Sequence, residues 1–306
     1  MKLKNKVLAV LLTIALVGVL GGCGKTNNTN SNTSDNTTTE PTQAATETPA
    51  ATDDTSSTDN LSGTVTITGS TSVEKILNDM IDEFTASNPD VTINYTGTGS
   101  SAGISDSIAG ANDIGASSRD LKDDEKSAGL KEVTFAYDGI AIAVNPANTL
   151  TDISVEDLAK IFSGQITNWK DVGGKDATIV VVSREGASGT RSAFEELVKL
   201  EDAGGLTEDA TVAEGNGSVQ TTVAGNENAI GYVSFSYIDS TVKALTVNGV
   251  EGTPENAKSG TYVLSRPFLF VYDEAKASAA AKAFVEFSLS DDGQAFVEKH
   301  GGIKLD

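Results

Sequence analysis

The chain contains 306 residues, of which 38% are hydrophobic, and its formal net charge at neutral pH is −21. A chain of this length is long enough for two folded domains. The strong negative charge excludes nucleic acid and acidic lipid surfaces as partners, because both would repel the chain. The charge also gives no long-range attraction for a small anion, so an anion site here must rely on N–H and hydroxyl donors close to the ligand.

The N-terminus has the pattern of a secretory signal. Three lysines within the first six residues precede an almost wholly apolar run at 7–20, and small residues then lead to Cys23. The apolar run is too short to span a bilayer comfortably, so we expect residues 1–22 to be a signal peptide. Its removal takes away three lysines and no acids, which changes the formal charge from −21 to −24.

Cys23 and the residues after it predict a lipid-anchored tether. The position of Cys23 resembles the cysteine of a bacterial lipobox, whose thiol receives a lipid such as palmitate and becomes the mature N-terminus. It is the only cysteine, so no intramolecular disulfide forms. Residues 24–60 contain no Val, Ile, Leu or Phe and cannot bury a core. We therefore assign 23–61 to a lipidated cysteine and flexible tether, and expect the protein on the outer face of the cell membrane.

Strands alternating with helices are predicted from about residue 61 onward. The strands, some with their loops, are predicted at 64–68, 91–95, 113–119, 140–144, 179–182, 229–234 and 262–272. The helices are predicted at 73–84, with Thr71 and Glu74 as a capping box, and at 155–162, 192–198, 274–289 and 291–299. This alternation implies an α/β body with a largely parallel sheet. The strands at 140–144 and 262–272 are candidates for two hinge crossings.

Four strand-to-helix loops are rich in serine, threonine and glycine. They lie at 69–72, 97–103, 115–119 and 183–191. Ligands of parallel sheets gather at such loops, beyond the carboxyl ends of the strands. The loop at 183–191 adds two arginines and leads into a helix, whose first turn offers unpaired N–H groups to an anion. It is not a Walker loop, because no Gly-Lys-Ser/Thr follows; a single loop of this composition could also be an ordinary capped turn.

Together, these loops resemble those of the phosphate-binding lipoproteins that serve phosphate ABC importers. The segment Phe162–Trp169, the strand at 229–234 and Arg266-Pro267 extend the resemblance over residues 62–306. It implies an α/β, two-lobed periplasmic-binding-protein fold of class II type with two hinge crossings. Lobe one would comprise 62–143 and 267–306, and lobe two 144–266.

The same resemblance implies what the chain binds. Inorganic phosphate would lie dehydrated between the lobes without metal or other cofactor, in a monomer that delivers it to the permease and ATPase complex of the importer. The residues that match the family's donors are Thr71, Ser72, the Val73 N–H, Ser100, Arg184, Ser188, Gly189 and Thr190.

Two positions depart from the family pattern. Many members have an aspartate where this chain has Ser118, and that aspartate accepts the proton of phosphate and so rejects sulfate. We keep Ser118 among the site residues and expect Asp138 to accept the proton instead, although an aspartate there could also be a turn or cap residue. Many members also have an acid two residues after the arginine, where this chain has Gly186.

Alternative functions remain open at this stage. The segment 99–103 matches Gly-x-Ser-x-Gly, which would make Ser100 a hydrolase nucleophile. A serine triad needs a histidine, and the single histidine, His300, lies near the C-terminus, so we expect no enzymatic activity. A receptor for another tetrahedral oxyanion such as sulfate, or an adhesin or sensor of the same fold, is a closer alternative. Trp169 and Tyr232 are interpreted as packing residues of lobe two.

Overall fold

The computed structural model describes residues 60–305; the predicted signal, Cys23 and the tether up to residue 59 lie outside the described residues. The strands are β1 (Gly63–Gly69), β2 (Val91–Thr96), β3 (Ile114–Ser117), β4 (Lys131–Val144), β5 (Asp152–Ile153), β6 (Val180–Arg184), β7 (Thr211–Ala213), β8 (Ala229–Ser234), β9 (Lys243–Val247) and β10 (Ser265–Tyr272). The helices are α1 (Glu74–Ser87), α2 (Ser100–Ala109), α3 (Asp123–Lys126), α4 (Val155–Phe162), α5 (Gly189–Leu197), α6 (Gly215–Ala224), α7 (Pro254–Lys258), α8 (Ala279–Leu289) and α9 (Asp291–Lys299). Short 3-10 helices occupy Thr71–Val73, Trp169–Val172, Leu200–Ala203 and Phe235–Tyr237. Within residues 60–305, no helix combines the length and the apolar character that crossing a bilayer requires.

Local capping explains where several helices begin. Ser154 caps α4, because its hydroxyl accepts a hydrogen bond from the Asp157 N–H at 3.0 Å. The predicted capping box of Thr71 and Glu74 is wrong. Ser70 instead caps the 3-10 helix Thr71–Val73 that precedes α1, because its hydroxyl accepts from the Ser72 N–H at 3.1 Å. The Thr71 hydroxyl is therefore available to other partners.

The strands form one mixed sheet in the order β2-β1-β3-β10-β4-β8-β6-β7, with β9 beside β4 and β5 beside β9. The pairs β1–β2, β1–β3, β6–β7 and β6–β8 are parallel, whereas β10 is antiparallel to β3 and β4, and β4 is antiparallel to β8. The prediction of a largely parallel sheet therefore holds for the outer strand pairs, including β5–β9, but not for the middle of the sheet. The reason is that β4 and β10 both cross the middle of the sheet, and the chain travels out along one and back along the other.

The apolar core divides along β4. The first part of β4 packs with β1, β2, β3, β10, α1 and α8, where the rings of Phe135 and Phe270 stack with centroids 4.2 Å apart. The second part of β4 packs with β6, β8, α4 and α5, where the rings of Phe194 and Tyr232 stack with centroids 4.2 Å apart. Trp169 belongs to this second core, so the interpretation of Trp169 and Tyr232 as packing residues is confirmed. Two core regions joined by crossing strands give the two-lobed form that the sequence predicts.

The division of the core falls at Gly139 of β4. A Cβ atom at this position would lie 2.0 Å from the ring of Phe235, so a larger residue would displace that ring. Because Phe235 opens the 3-10 helix after β8, this close contact holds the end of β8 against the crossing strand. The contact places the end of β8 next to the loops described below.

Candidate anion-binding site

Loops from both halves of the sheet meet at buried hydroxyl groups. The Ser72 and Thr190 hydroxyls are 2.9 Å apart, although the residues are 118 positions apart in the chain. Nearby, the Ser101 N–H donates to the Ala187 carbonyl at 3.0 Å. Ser72 and Thr190 are almost fully buried. The loops after β1 and β6 thus bring together residues that the sequence assigned to one site.

Arg184, the last residue of β6, contributes a guanidinium group to this cluster. Its Nη2 donates to the Thr71 hydroxyl at 3.1 Å, and its Nη1 lies 3.5 Å from the Thr190 hydroxyl. Its other edge donates to both carboxylate oxygens of Glu185, at 2.8 and 2.7 Å. Arg184 is 1% exposed, so its charge is buried, whereas the side chain of its counter-ion Glu185 is 22% exposed.

Glu185 supplies the acid next to the arginine. The family pattern has an acid two residues after the arginine, where this chain has Gly186, and the directly adjacent Glu185 forms the pair here. Burial opposes ionisation of this carboxyl group, but the hydrogen bonds and charge of Arg184, with the Gly215 N–H, hold the pKa of Glu185 below its usual range. Glu185 is therefore a carboxylate at neutral pH and fixes one edge of the guanidinium.

The start of α5 lies against the loops of the first half of the molecule. Ser188 caps this helix by accepting from the Arg191 N–H at 3.1 Å, which leaves its own O–H free to donate. A Cβ atom on Gly189 would lie 2.2 Å from the Ser100 hydroxyl oxygen and 2.8 Å from that of Ser118. Only glycine allows this approach. Gly189 is the first residue of α5, where N–H groups have no partner within the helix.

Ser100 and Ser118 form a pair beside Gly189. The Ser100 hydroxyl accepts from the Ser118 N–H at 3.0 Å, and the two hydroxyl oxygens are 3.2 Å apart. Both residues are fully buried. Ser100 also begins α2, so the starts of α2 and α5 face the same place. Val73, whose N–H the sequence assigned to the site, is buried next to Ser72.

Two further residues of the cluster were not predicted as ligands. Arg266 of β10 donates from Nη2 to the Ser72 hydroxyl at 3.0 Å, and its Nη1 lies 3.4 Å from the Ser118 hydroxyl. Asn216, at the start of α6, donates from Nδ2 to the Ser72 and Thr71 hydroxyls at 3.1 Å each. A signal for Arg266 was present in the sequence, since it is a charged residue within an apolar strand.

Asp138 of β4 is directly opposite Arg266 of β10 in the register of the sheet. Its Oδ2 accepts from the Arg266 Nε and Nη2 at 3.2 and 2.9 Å, and its Oδ1 accepts from the Ser234 hydroxyl at 2.9 Å. Burial raises the pKa of Asp138, against the opposing effects of the Arg266 guanidinium, the Ser234 hydroxyl and the Phe235 N–H. The sequence expectation that Asp138 accepts a ligand proton stays a prediction.

The contacts give no support to a serine hydrolase. The Ser100 hydroxyl bonds to Ser118, whereas the His300 ring bonds to the Asp79 carboxylate of α1 at 2.8 Å. A triad would need the histidine to accept the proton of the serine. The cluster instead combines hydroxyl, amide and guanidinium donors with helix starts, which suits the oxygens of a small anion. A buried donor cluster between two halves of one sheet defines the class of two-lobed solute-binding proteins.

Comparison with known proteins agrees with this class. The family model for the PBP superfamily domain matches residues 31–292. The phosphate-binding protein PstS of Bacillus subtilis is 33% identical over 298 residues, which cover 95% of this chain and 91% of that protein. PstS of Borreliella burgdorferi is 34% identical over 246 residues, which cover 77% of this chain and 88% of that protein.

A solved structure is also similar. The crystal structure of a phosphate ABC transporter substrate-binding protein from Clostridium perfringens, with bound phosphate, has 47% identity and a TM-score of 0.78, and the match covers 80% of this chain and all of that chain. The chain belongs to the PBP superfamily and, within it, to the PstS family of phosphate-binding proteins. These relatives are named as binding and transport proteins, which agrees with the prediction that the chain is not an enzyme.

Proposed function

We propose that this protein binds inorganic phosphate between its two lobes and delivers the ion to the permease of an ABC importer. The observation that carries the proposal is the buried contact of Arg184 with the Thr71 and Thr190 hydroxyls, which come from opposite halves of the sheet. An anion bound by these groups would join the two lobes. The names of the relatives, which include a receptor with bound phosphate, support phosphate as that anion.

The proposed ligand set follows the cluster. Hydroxyl and backbone donors come from the loop after β1, from the pair beside Gly189 and from the start of α5: Thr71, Ser72, Val73, Ser100, Ser118, Ser188, Gly189 and Thr190. Arg184 adds the charge-assisted donor, which forms shorter and stronger bonds than a neutral one. We assign lobe one to 62–143 and 267–306, and lobe two to 144–266. The division of the apolar core along β4 supports this assignment.

The test of the binding site is the variant Arg184→Ala, with Arg119→Ala as its control. Arg119 is also buried and paired with a glutamate, Glu125, but is not among the proposed ligands. A hydrogen bond to a charged group contributes roughly 1.5–3 kcal/mol, so Arg184→Ala should weaken phosphate binding at least about tenfold in titration calorimetry. Unchanged affinity in a folded Arg184→Ala protein would move the site elsewhere.

We further propose that Cys23 carries a lipid that holds the mature protein on the outer face of the cell membrane. The apolar run that ends in small residues before Cys23 motivates this assignment, and residues 24–60 would serve as the tether. The variant Cys23→Ala should be released from membranes on cell fractionation. Retention of the variant as firmly as the wild type would exclude anchoring through this thiol.

A further inference from the structure

We propose that Arg266 is a second guanidinium ligand of the bound anion and that Asp138 is the residue that positions it. The inference rests on the proposed phosphate-binding function and extends the site from the loops to the crossing strands. It also gives Asp138 a different role from that of a direct proton acceptor.

The first observation is where the Arg266 donors are directed. A guanidinium has five N–H donors in a fixed plane. In Arg266, the Nε–H and one Nη2–H bond to Asp138 Oδ2, at 3.2 and 2.9 Å. The remaining edge faces the cluster, where Nη2 contacts the Ser72 hydroxyl at 3.0 Å and Nη1 the Ser118 hydroxyl at 3.4 Å. Two nitrogens of Arg266 are therefore directed to hydroxyl groups of two proposed phosphate ligands.

The second observation is that both guanidinium groups of the site are arranged alike. Arg184 and Arg266 each bond to one carboxylate on one edge and to site hydroxyls on the other. Both arginines are almost fully buried. A buried ion pair by itself is weak support for stability, because apolar residues often replace such a pair without loss. The shared orientation toward the same hydroxyl cluster points instead to a shared ligand.

The third observation concerns the lone pairs of Asp138. A carboxylate offers about four acceptor sites. Arg266 occupies two of them, the Ser234 hydroxyl a third, and the Phe235 N–H also donates to this group. Together these donors occupy the acceptor sites of the Asp138 carboxylate as long as Arg266 stays in place. A proton on the bound anion therefore finds no acceptor site on Asp138. Asp138 thus acts on the ligand through the orientation of Arg266.

The test is titration calorimetry with phosphate on the full-length protein, using Arg266→Met and the double variant Asp138→Asn with Arg266→Met. The single variant leaves a buried carboxylate without its cation and should lower stability, whereas the double variant removes both charges and should recover it. If Arg266 is a ligand, both variants lose affinity at least about tenfold. The control Arg119→Met should stay within about threefold of the wild type.

Recovery of wild-type affinity in the double variant would overturn the proposal, because Arg266 would then be only the counter-ion of Asp138. If Arg266→Met does not fold, Arg266→Lys serves instead: it keeps a charge beside Asp138 but lacks the planar fork, and the same loss of affinity is expected. If the proposed phosphate-binding function itself were wrong, the wild-type protein would not bind phosphate. That result differs from wild-type affinity in the double variant, which would refute only the role of Arg266.

The positioning role of Asp138 has its own readout. Asp138→Asn changes the orientation of Arg266, which bonds to any tetrahedral oxyanion alike. The dissociation constants for phosphate and for sulfate should then move together, and their ratio should stay within about threefold of the wild-type ratio. A change in that ratio of more than about tenfold would mean that Asp138 reads the proton of phosphate directly, and would overturn the positioning role.

Discussion

At the scale of single residues, the site balances its charges in pairs. Arg184 with Glu185 and Arg266 with Asp138 each join a cation to a carboxylate. The two ion pairs therefore add no net charge to the site. Anion binding then depends on donors within hydrogen-bond distance of the ligand, as we expect for a chain whose negative charge does not attract anions from a distance. The carboxylates also fix the planes of the guanidinium groups before any ligand arrives, which reduces the ordering cost of binding.

The Glu185 pair predicts a pH dependence of stability. Because the pKa of Glu185 is lowered in the folded state, its stabilising effect is fully present above the pKa of an unfolded glutamate, about 4.3, and is lost as pH falls through the folded value. We expect Glu185→Gln to lower the free energy of unfolding by roughly 1–3 kcal/mol at neutral pH. Urea unfolding at several pH values should show this difference shrinking below about pH 4. A difference that stays constant down to acid pH would contradict the assignment.

Residues of one loop were predictable from the sequence, and residues brought in from distant strands were not. Arg184, Ser188 and Thr190 lie within a single loop before a helix, where glycine and hydroxyl residues indicate an anion site. Arg266 lies 128 positions from its partner Asp138, and no local pattern connects the two. The pairing of β4 with β10 brings them together, and that pairing is a property of the whole sheet.

At the scale of elements, the site depends on how closely α5 approaches α2. Gly189→Ala would place a methyl group 2.2 Å from the Ser100 hydroxyl oxygen, so these elements would have to separate. Overpacking of this kind costs roughly 1–3 kcal/mol, and we expect phosphate affinity to fall by about tenfold or more. The matched control is Gly186→Ala in the same loop, where no atom lies within 4 Å of an added Cβ. Equal affinities of the two variants would show that this approach is not needed for binding.

Elements with local signals were predicted well. The sequence placed α4 at 155–162 and β8 at 229–234, and the structure has the same bounds, because a capping serine marks the first and an apolar run the second. The predicted parallel direction holds for the outer strand pairs only, since β10 pairs antiparallel with both neighbours. Periodicity gives the existence of a strand but not its direction, which follows from the return of the chain through the middle of the sheet.

At the scale of the whole molecule, one sheet joins two core regions and the donor cluster lies where they meet. Ser72 and Ser100 come from one side, Thr190 and Arg184 from the other, and the Arg266–Asp138 pair from the strands that cross between them. The two carboxylates flank the cluster. Each carboxylate acts on the anion through the guanidinium group that it orients.

The most direct test of the central claim is calorimetric titration of the purified protein, dialysed free of phosphate, with phosphate and with sulfate at one pH and salt concentration. The account predicts saturable binding of one phosphate per chain, at least about tenfold tighter than the binding of sulfate. Absence of saturable phosphate binding, or sulfate binding as tight as that of phosphate, would contradict it.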